Sequence, residues 1–108
     1  GILMASRDGE GLRFVCDDSF GFEEALVACR HLGHTRLVEF FVRQSSTVVG
    51  GSQLSVDFGC DGGESSLGWC TQRAKTRTCS ASEMIRLSCT DTQVTLSTNA
   101  GILLASVG

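Results

Sequence analysis

The chain has 108 residues, 42% hydrophobic and 19% charged, with a net charge of −3. That length allows one domain with a modest core, and the acidic balance excludes nucleic-acid binding by overall electrostatics. No apolar run approaches the length of a membrane-spanning helix, so no membrane insertion is expected.

Gly1 to Ser6 is a short apolar run, more strand than helix at its length. Asp8-Gly9 after it is a hairpin signal. Leu12, Phe14 and Cys16 alternate with Arg13 and Val15, which predicts a strand burying the first three on one face. Ser19 to Gly21 turn the chain. Phe22, Ala25, Leu26, Cys29 and Leu32 recur at helical spacing and predict a helix from about Phe22 to Leu32, with that face on a sheet. Glu23 and Glu24 in its first turn, and Arg30 and His31 in its last, suit the helix dipole. Gly33 is the residue expected to end it.

Leu37 to Val42 is apolar and ambiguous in type, and Gln44 to Gly51 is expected to be a polar loop. Leu54, Val56, Phe58 and Cys60 alternate as a strand. Cys60 to Cys79 is Gly-rich and then basic, so it is expected to be mostly loop. Ile85, Leu87 and Cys89 alternate as a last core strand. Strands from both ends of the chain with one central helix predict an α+β class.

The six cysteines are Cys16, Cys29, Cys60, Cys70, Cys79 and Cys89. An even number in so short a chain predicts three disulfides and an oxidising compartment. The close spacing of zinc ligands is missing, and the cysteines alone leave the connectivity open. The chain opens on Gly1 without a signal peptide, so a mature or excised piece is expected. Asn99 is followed by Ala100-Gly101, so no glycosylation sequon is present. Gly1-Ile2-Leu3-Met4-Ala5-Ser6 returns as Gly101-Ile102-Leu103-Leu104-Ala105-Ser106, differing only at Met4 and Leu104. That repeat points to a tandem array of domains of about 100 residues, with the tail as the start of the next one.

Several motifs match one family. Val15-Cys16-Asp17-Asp18-Ser19-Phe20 is like V-C-D-D-S-W, and Ala28-Cys29-Arg30-His31-Leu32-Gly33 is like V-C-R-Q-L-G. Glu64-Ser65-Ser66-Leu67 precedes Cys70, and Cys79-x3-Glu83-x5-Cys89 is like C-G-H-S-E-D-A-G-V-I-C. With these motifs the chain resembles the scavenger receptor cysteine-rich (SRCR) family from Gly1 to Cys89, in its six-cysteine form; His34 stands where the eight-cysteine form has an extra cysteine. There are departures. Phe20 replaces a tryptophan, Ser55-Val56-Asp57-Phe58 replaces L-D-D-V with the loss of one acid, and Thr78 replaces an asparagine. The family's opening V-R-L-V strand is missing before Gly1, and Val94-Thr95-Leu96 looks like it at the other end.

The resemblance implies a small disulfide-stapled domain, with a curved antiparallel sheet cradling the one main helix. It implies Cys16–Cys79, Cys29–Cys89 and Cys60–Cys70 as the pairs. It divides the chain into an SRCR domain over 1–90 and a tail over 91–108 that could supply the missing first strand. On that reading Val94 to about Ser97 pairs with the domain's own sheet. Gly101 to Ser106 is then loose, or pairs with a neighbouring molecule.

The resemblance also implies a cation site at Asp17, Asp18 and Glu83. Once Cys16–Cys79 is granted, two carboxylates follow one half-cystine and the third lies just past the other, within reach across a Cα separation of about 4.4–6.8 Å. Carboxylates so close repel unless a cation sits among them, and hard oxygen ligands select weakly bound Ca²⁺ or Mg²⁺. Asp57 is a candidate for a second metal site. Arg73, Lys75 and Arg77 form a basic run, a candidate patch for anionic ligands. His31 and His34 are expected at the surface and not as metal ligands.

No catalytic constellation is visible. Gly63-Glu64-Ser65-Ser66-Leu67-Gly68 lacks the nucleophile-elbow pattern, so no enzyme is expected. The expected function is a secreted or cell-surface module that binds anionic polymers or extracellular proteins through the held cation, beside neighbouring SRCR repeats. The rival readings are an inert spacer in a multidomain ectodomain and an accessory domain of a secreted enzyme.

Overall fold

The computed structural model describes every residue except 8, 35, 45–51, 76, 81, 90–95 and 108. Asp8 of the expected hairpin turn, nearly all of the expected polar loop, and Val94 and Thr95 of the tail lie outside the described residues. The elements in chain order are β1 (Ile2–Arg7), β2 (Arg13–Phe14), α1 (Phe22–His31), β3 (Leu37–Gln44), β4 (Val56–Gly59), β5 (Thr71–Ala74), β6 (Met84–Cys89), β7 (Leu96–Asn99) and β8 (Ile102–Val107). A single 3-10 turn at Leu67–Trp69 lies between β4 and β5. The class is α+β, with antiparallel sheets and one helix.

The main sheet runs β3-β6-β1-β8-β7, with β2 also paired to β1. Its centre is the repeated hexapeptide paired with itself. β1 and β8 run antiparallel along their whole length, from Ile2 opposite Val107 to Arg7 opposite Ile102. β1 is buried on both faces, because successive side chains of a strand point to opposite sides. Leu3 and Ala5 enter the larger core with Ile85, Leu87, Ile102 and Leu104. Ile2 and Met4 enter a smaller one with Phe14, Met84 and Ala105.

Residues 101–106 were expected to be loose or to pair with a neighbouring molecule; 102–106 lie instead in β8, an inner strand of this domain's own sheet. The reason is burial. Ile102 and Leu104 are nearly or fully buried, and each such side chain contributes roughly 1.5–3 kcal/mol. Among the described residues β7 pairs only with β8, through a two-residue turn in which Ala100 (φ 53°) and Gly101 (φ 83°) both take positive φ. That is the turn geometry matching strand twist in a tight hairpin.

α1 lies across the larger core, burying Ala25, Val27, Ala28 and Cys29. Phe22, expected on that face, is exposed. The helix ends in a Schellman motif. Gly33 (φ 86°) donates its N–H to the Arg30 carbonyl, and His34 donates to that of Cys29. Val15 also departs from expectation. It faces the larger core while its neighbours Phe14 and Cys16 face the smaller one, because the sheet here is covered on both sides.

β4 and β5 form a second, two-stranded sheet. β5 interrupts the stretch expected to be mostly loop, and it carries part of the basic run. Three disulfides, Cys16–Cys79, Cys29–Cys89 and Cys60–Cys70, join the same pairs as the family pattern. The first two span sequence separations of 63 and 60. Each restrains the unfolded chain by roughly 4 kcal/mol in the loop-entropy account.

Candidate functional site: two carboxylate clusters beside the first disulfide

The turn after Cys16 places its two acids in different surroundings. The Asp17 N–H donates to the Glu83 carbonyl at 3.0 Å, which holds the turn against the segment following Cys79. The Glu83 carboxylate is oriented by the Ser80 N–H, 2.8 Å from Oε2. The Asp17 and Glu83 carboxylates and the Cys16 and Cys79 sulfurs all come within 4.8 Å of one another. The sulfurs are joined in a disulfide and cannot act as thiolate ligands, so the oxygens are the available donors. The Asp17 side chain is only 5% exposed, and Arg43 Nε lies 3.7 Å from Oδ2. Burial first, and then the charge of Glu83, push the Asp17 carboxyl above its ordinary pKa; Arg43 opposes them in part.

Asp18 turns the other way. Its Oδ2 accepts from Lys75 Nζ at 3.0 Å, and the same ammonium donates to both oxygens of Asp57, at 3.0 and 3.2 Å. The Lys75 side chain is 4% exposed, against 28% for Asp18 and 19% for Asp57. The hydrogen bond from Lys75 holds the Asp18 carboxyl below its usual range. Burial alone would lower the pKa of Lys75, but the two carboxylates outweigh it and raise it. Asp18, Ser19, Asp57, Lys75 and Arg77 line an open depression of about 300 Å³.

The expected sites therefore rearrange. Asp17 and Glu83 meet, whereas Asp18 joins Asp57 through Lys75. Of the three basic candidates, Arg73 and Arg77 are exposed and Lys75 is committed to two carboxylates. Arg73 lies opposite Asp57 in the β4–β5 register. Gln53 ties down the segment carrying Arg77, donating to the Arg77 carbonyl and accepting the Cys79 N–H. A second group, Cys60, Glu64 and Cys70, offers no comparable donor set. Its cysteines form a disulfide, and both Glu64 oxygens accept from the backbone of Asp61 and Gly62.

Of these motifs and cysteines, residues 7–90 match the family model described as the scavenger receptor cysteine-rich domain. The chain belongs to the SRCR family. A crystal structure of the dimeric form of the SRCR domain of mouse MARCO is similar to it, with a TM-score of 0.59. The likeness covers 98% of this chain and 90% of that one at 20% sequence identity, so it speaks for the fold alone. No curated protein matches the chain. SRCR domains occur in extracellular or cell-surface proteins, and among the described residues no helix is long and apolar enough to cross a membrane.

The histidines correct the sequence reading, for both are buried. His31, 3% exposed, accepts the Leu67 N–H at Nδ1 (3.2 Å), so its proton sits on Nε2, which donates to the Ser97 carbonyl at 3.1 Å. Ser66, also buried, lies 3.3 Å from Nδ1 and donates to the Asn99 carbonyl. This is a clamp between the end of α1, the 3-10 turn and β7. Its only sequence sign was a histidine in the last helical turn, where a solvent-facing residue favouring the dipole looks the same.

Proposed function

We propose that this chain is an extracellular ligand-recognition module that meets polyanionic or protein ligands with the help of a divalent cation. Asp17 and Glu83 would hold the cation, with Asp18 adjacent in the same turn. The observation carrying this reading is the meeting of the two carboxylates beside a buried disulfide, where burial and mutual repulsion disfavour the ionised Asp17. The donors suit the ion: carboxylate oxygens prefer Ca²⁺ or Mg²⁺, and two of them give the weak binding common in extracellular modules. Their small number leaves positions for a ligand's own oxyanion. Arg73 and Arg77, exposed nearby in the chain, are suited to bidentate contacts with sulfate or carboxylate.

The test is retention on immobilised heparin, as a polyanion probe, in Ca²⁺ and in EDTA. Calcium-dependent retention that Glu83→Gln removes supports the proposal. Equal retention of both proteins under both conditions contradicts it.

A spacer reading has one observation in its favour: residues 96–107 complete the sheet, which suits a self-contained unit in an array. We propose that the tail over 91–108 derives in sequence from the opening of a following repeat, its copy of Gly1–Ser6 serving here as a strand of this unit's own sheet. The mass and sequence of the parent protein test that origin.

A further inference from the structure

Lys75 follows β5, and its N–H donates to the Ser55 carbonyl at 3.0 Å, anchoring it against the segment before β4. A lysine at such an edge ordinarily extends its ammonium into water. This one folds inward and ends among three carboxylate oxygens, within 3.0–3.2 Å of each. An ammonium has three donors, so all three are used and none is left for a ligand. The two acids come from separate segments, the turn after Cys16 and strand β4. They face the open depression, while the lysine stem beneath them is nearly enclosed. A pair of carboxylates with a single cation between them is the charge arrangement of a hard-metal site, and here the cation is covalently part of the chain.

We propose that Lys75 is a tethered counter-cation that closes a latent divalent-cation site formed by Asp18 and Asp57. In the wild type this half of the surface is independent of metal. Removing the lysine's charge leaves two facing carboxylates that Ca²⁺ can bridge. The inference does not rest on the Asp17–Glu83 proposal, because different residues report each site.

The experiment is a CaCl₂ titration of the full chain from EDTA, followed by NMR of backbone amides and of the Lys75 ζ-nitrogen, on the wild type, Lys75→Met and Lys75→Gln. In the wild type the Lys75 ζ signal and the Asp57 amide should stay in place, whatever happens at Glu83. In both variants saturable shifts should appear at Asp18 and Asp57. Their melting temperature, lowered in EDTA, should recover with calcium, and adding Asp57→Asn should remove the response. Calcium-induced shifts at Asp57 or at the lysine nitrogen in the wild type would overturn the proposal, as would variants whose Asp57 amide ignores calcium. Should neither variant fold, calcium-induced shifts at Asp57 or at the lysine nitrogen in the wild type still overturn the proposal.

Discussion

Asp17 and Asp18 are adjacent, yet one has its carboxyl pKa raised and the other lowered. Asp18 gains an ammonium partner; Asp17 gains burial and a second carboxylate. The sign for Asp17 follows from linkage. Its raised pKa means the folded state holds the proton longer than the unfolded chain. Its penalty is absent below the ordinary carboxylate pKa and develops as pH rises through that value to the raised one. At neutral pH in EDTA, Asp17→Asn is therefore expected to melt a few degrees higher, where 1 kcal/mol corresponds to roughly 4–8 °C. The same variant should lose any calcium-induced stabilisation. Calorimetry in EDTA and in calcium checks both, and a lower melting temperature in EDTA would refute the account of Asp17. The nearness of Asp17 and Glu83 was legible once Cys16 was paired with Cys79 by resemblance. The role of Lys75 was not. In sequence it is one basic residue among Arg73, Lys75 and Arg77, and its burial depends on the β4–β5 register, which Gln72-Arg73-Ala74 does not announce.

The hairpin of β7 and β8 carries more of the fold than its place at the end of the chain suggests. Gly68 permits its approach, since a Cβ there would run into the Ala100 carbonyl. Leu104→Ala should cost about 2–5 kcal/mol, the range for truncating a fully buried leucine, measured by urea denaturation; a negligible loss would return the tail to the status of a linker. The His31 clamp adds a pH dependence. Burial first depresses the pKa of His31 below 6.5, so the unfolded chain takes up its proton at a higher pH than the folded one. The contribution is fully present above about pH 6.5 and is lost as pH falls through the lower folded-state value. Thermal melts from pH 7.5 to 5 should show falling stability, and His31→Asn should flatten that trend; an unchanged slope would count against the clamp. The repeat was visible in the sequence. That its two copies would pair with each other was not, because an apolar hexapeptide can pair with many partners and only burial of both faces selects this one.

The molecule as a whole is a sheet filled on both faces, crossed by one helix and held by two long-range disulfides. The cysteine count and the helical and alternating patterns made the class and most core strands legible. β5 and the two-faced burial of Val15 and Phe14 were hidden, since alternation assumes that one side of a sheet meets water. Both acidic clusters flank the segments joined by Cys16–Cys79, so a covalent link far apart in sequence holds charges that repel. The central claim is that Asp17 and Glu83 take a divalent cation. The most direct measurement is a calcium titration of the wild-type chain followed by amide NMR in the millimolar range. The account predicts saturable shifts centred on Asp17 and Glu83, absent in Glu83→Gln; a titration that moves neither amide would contradict it.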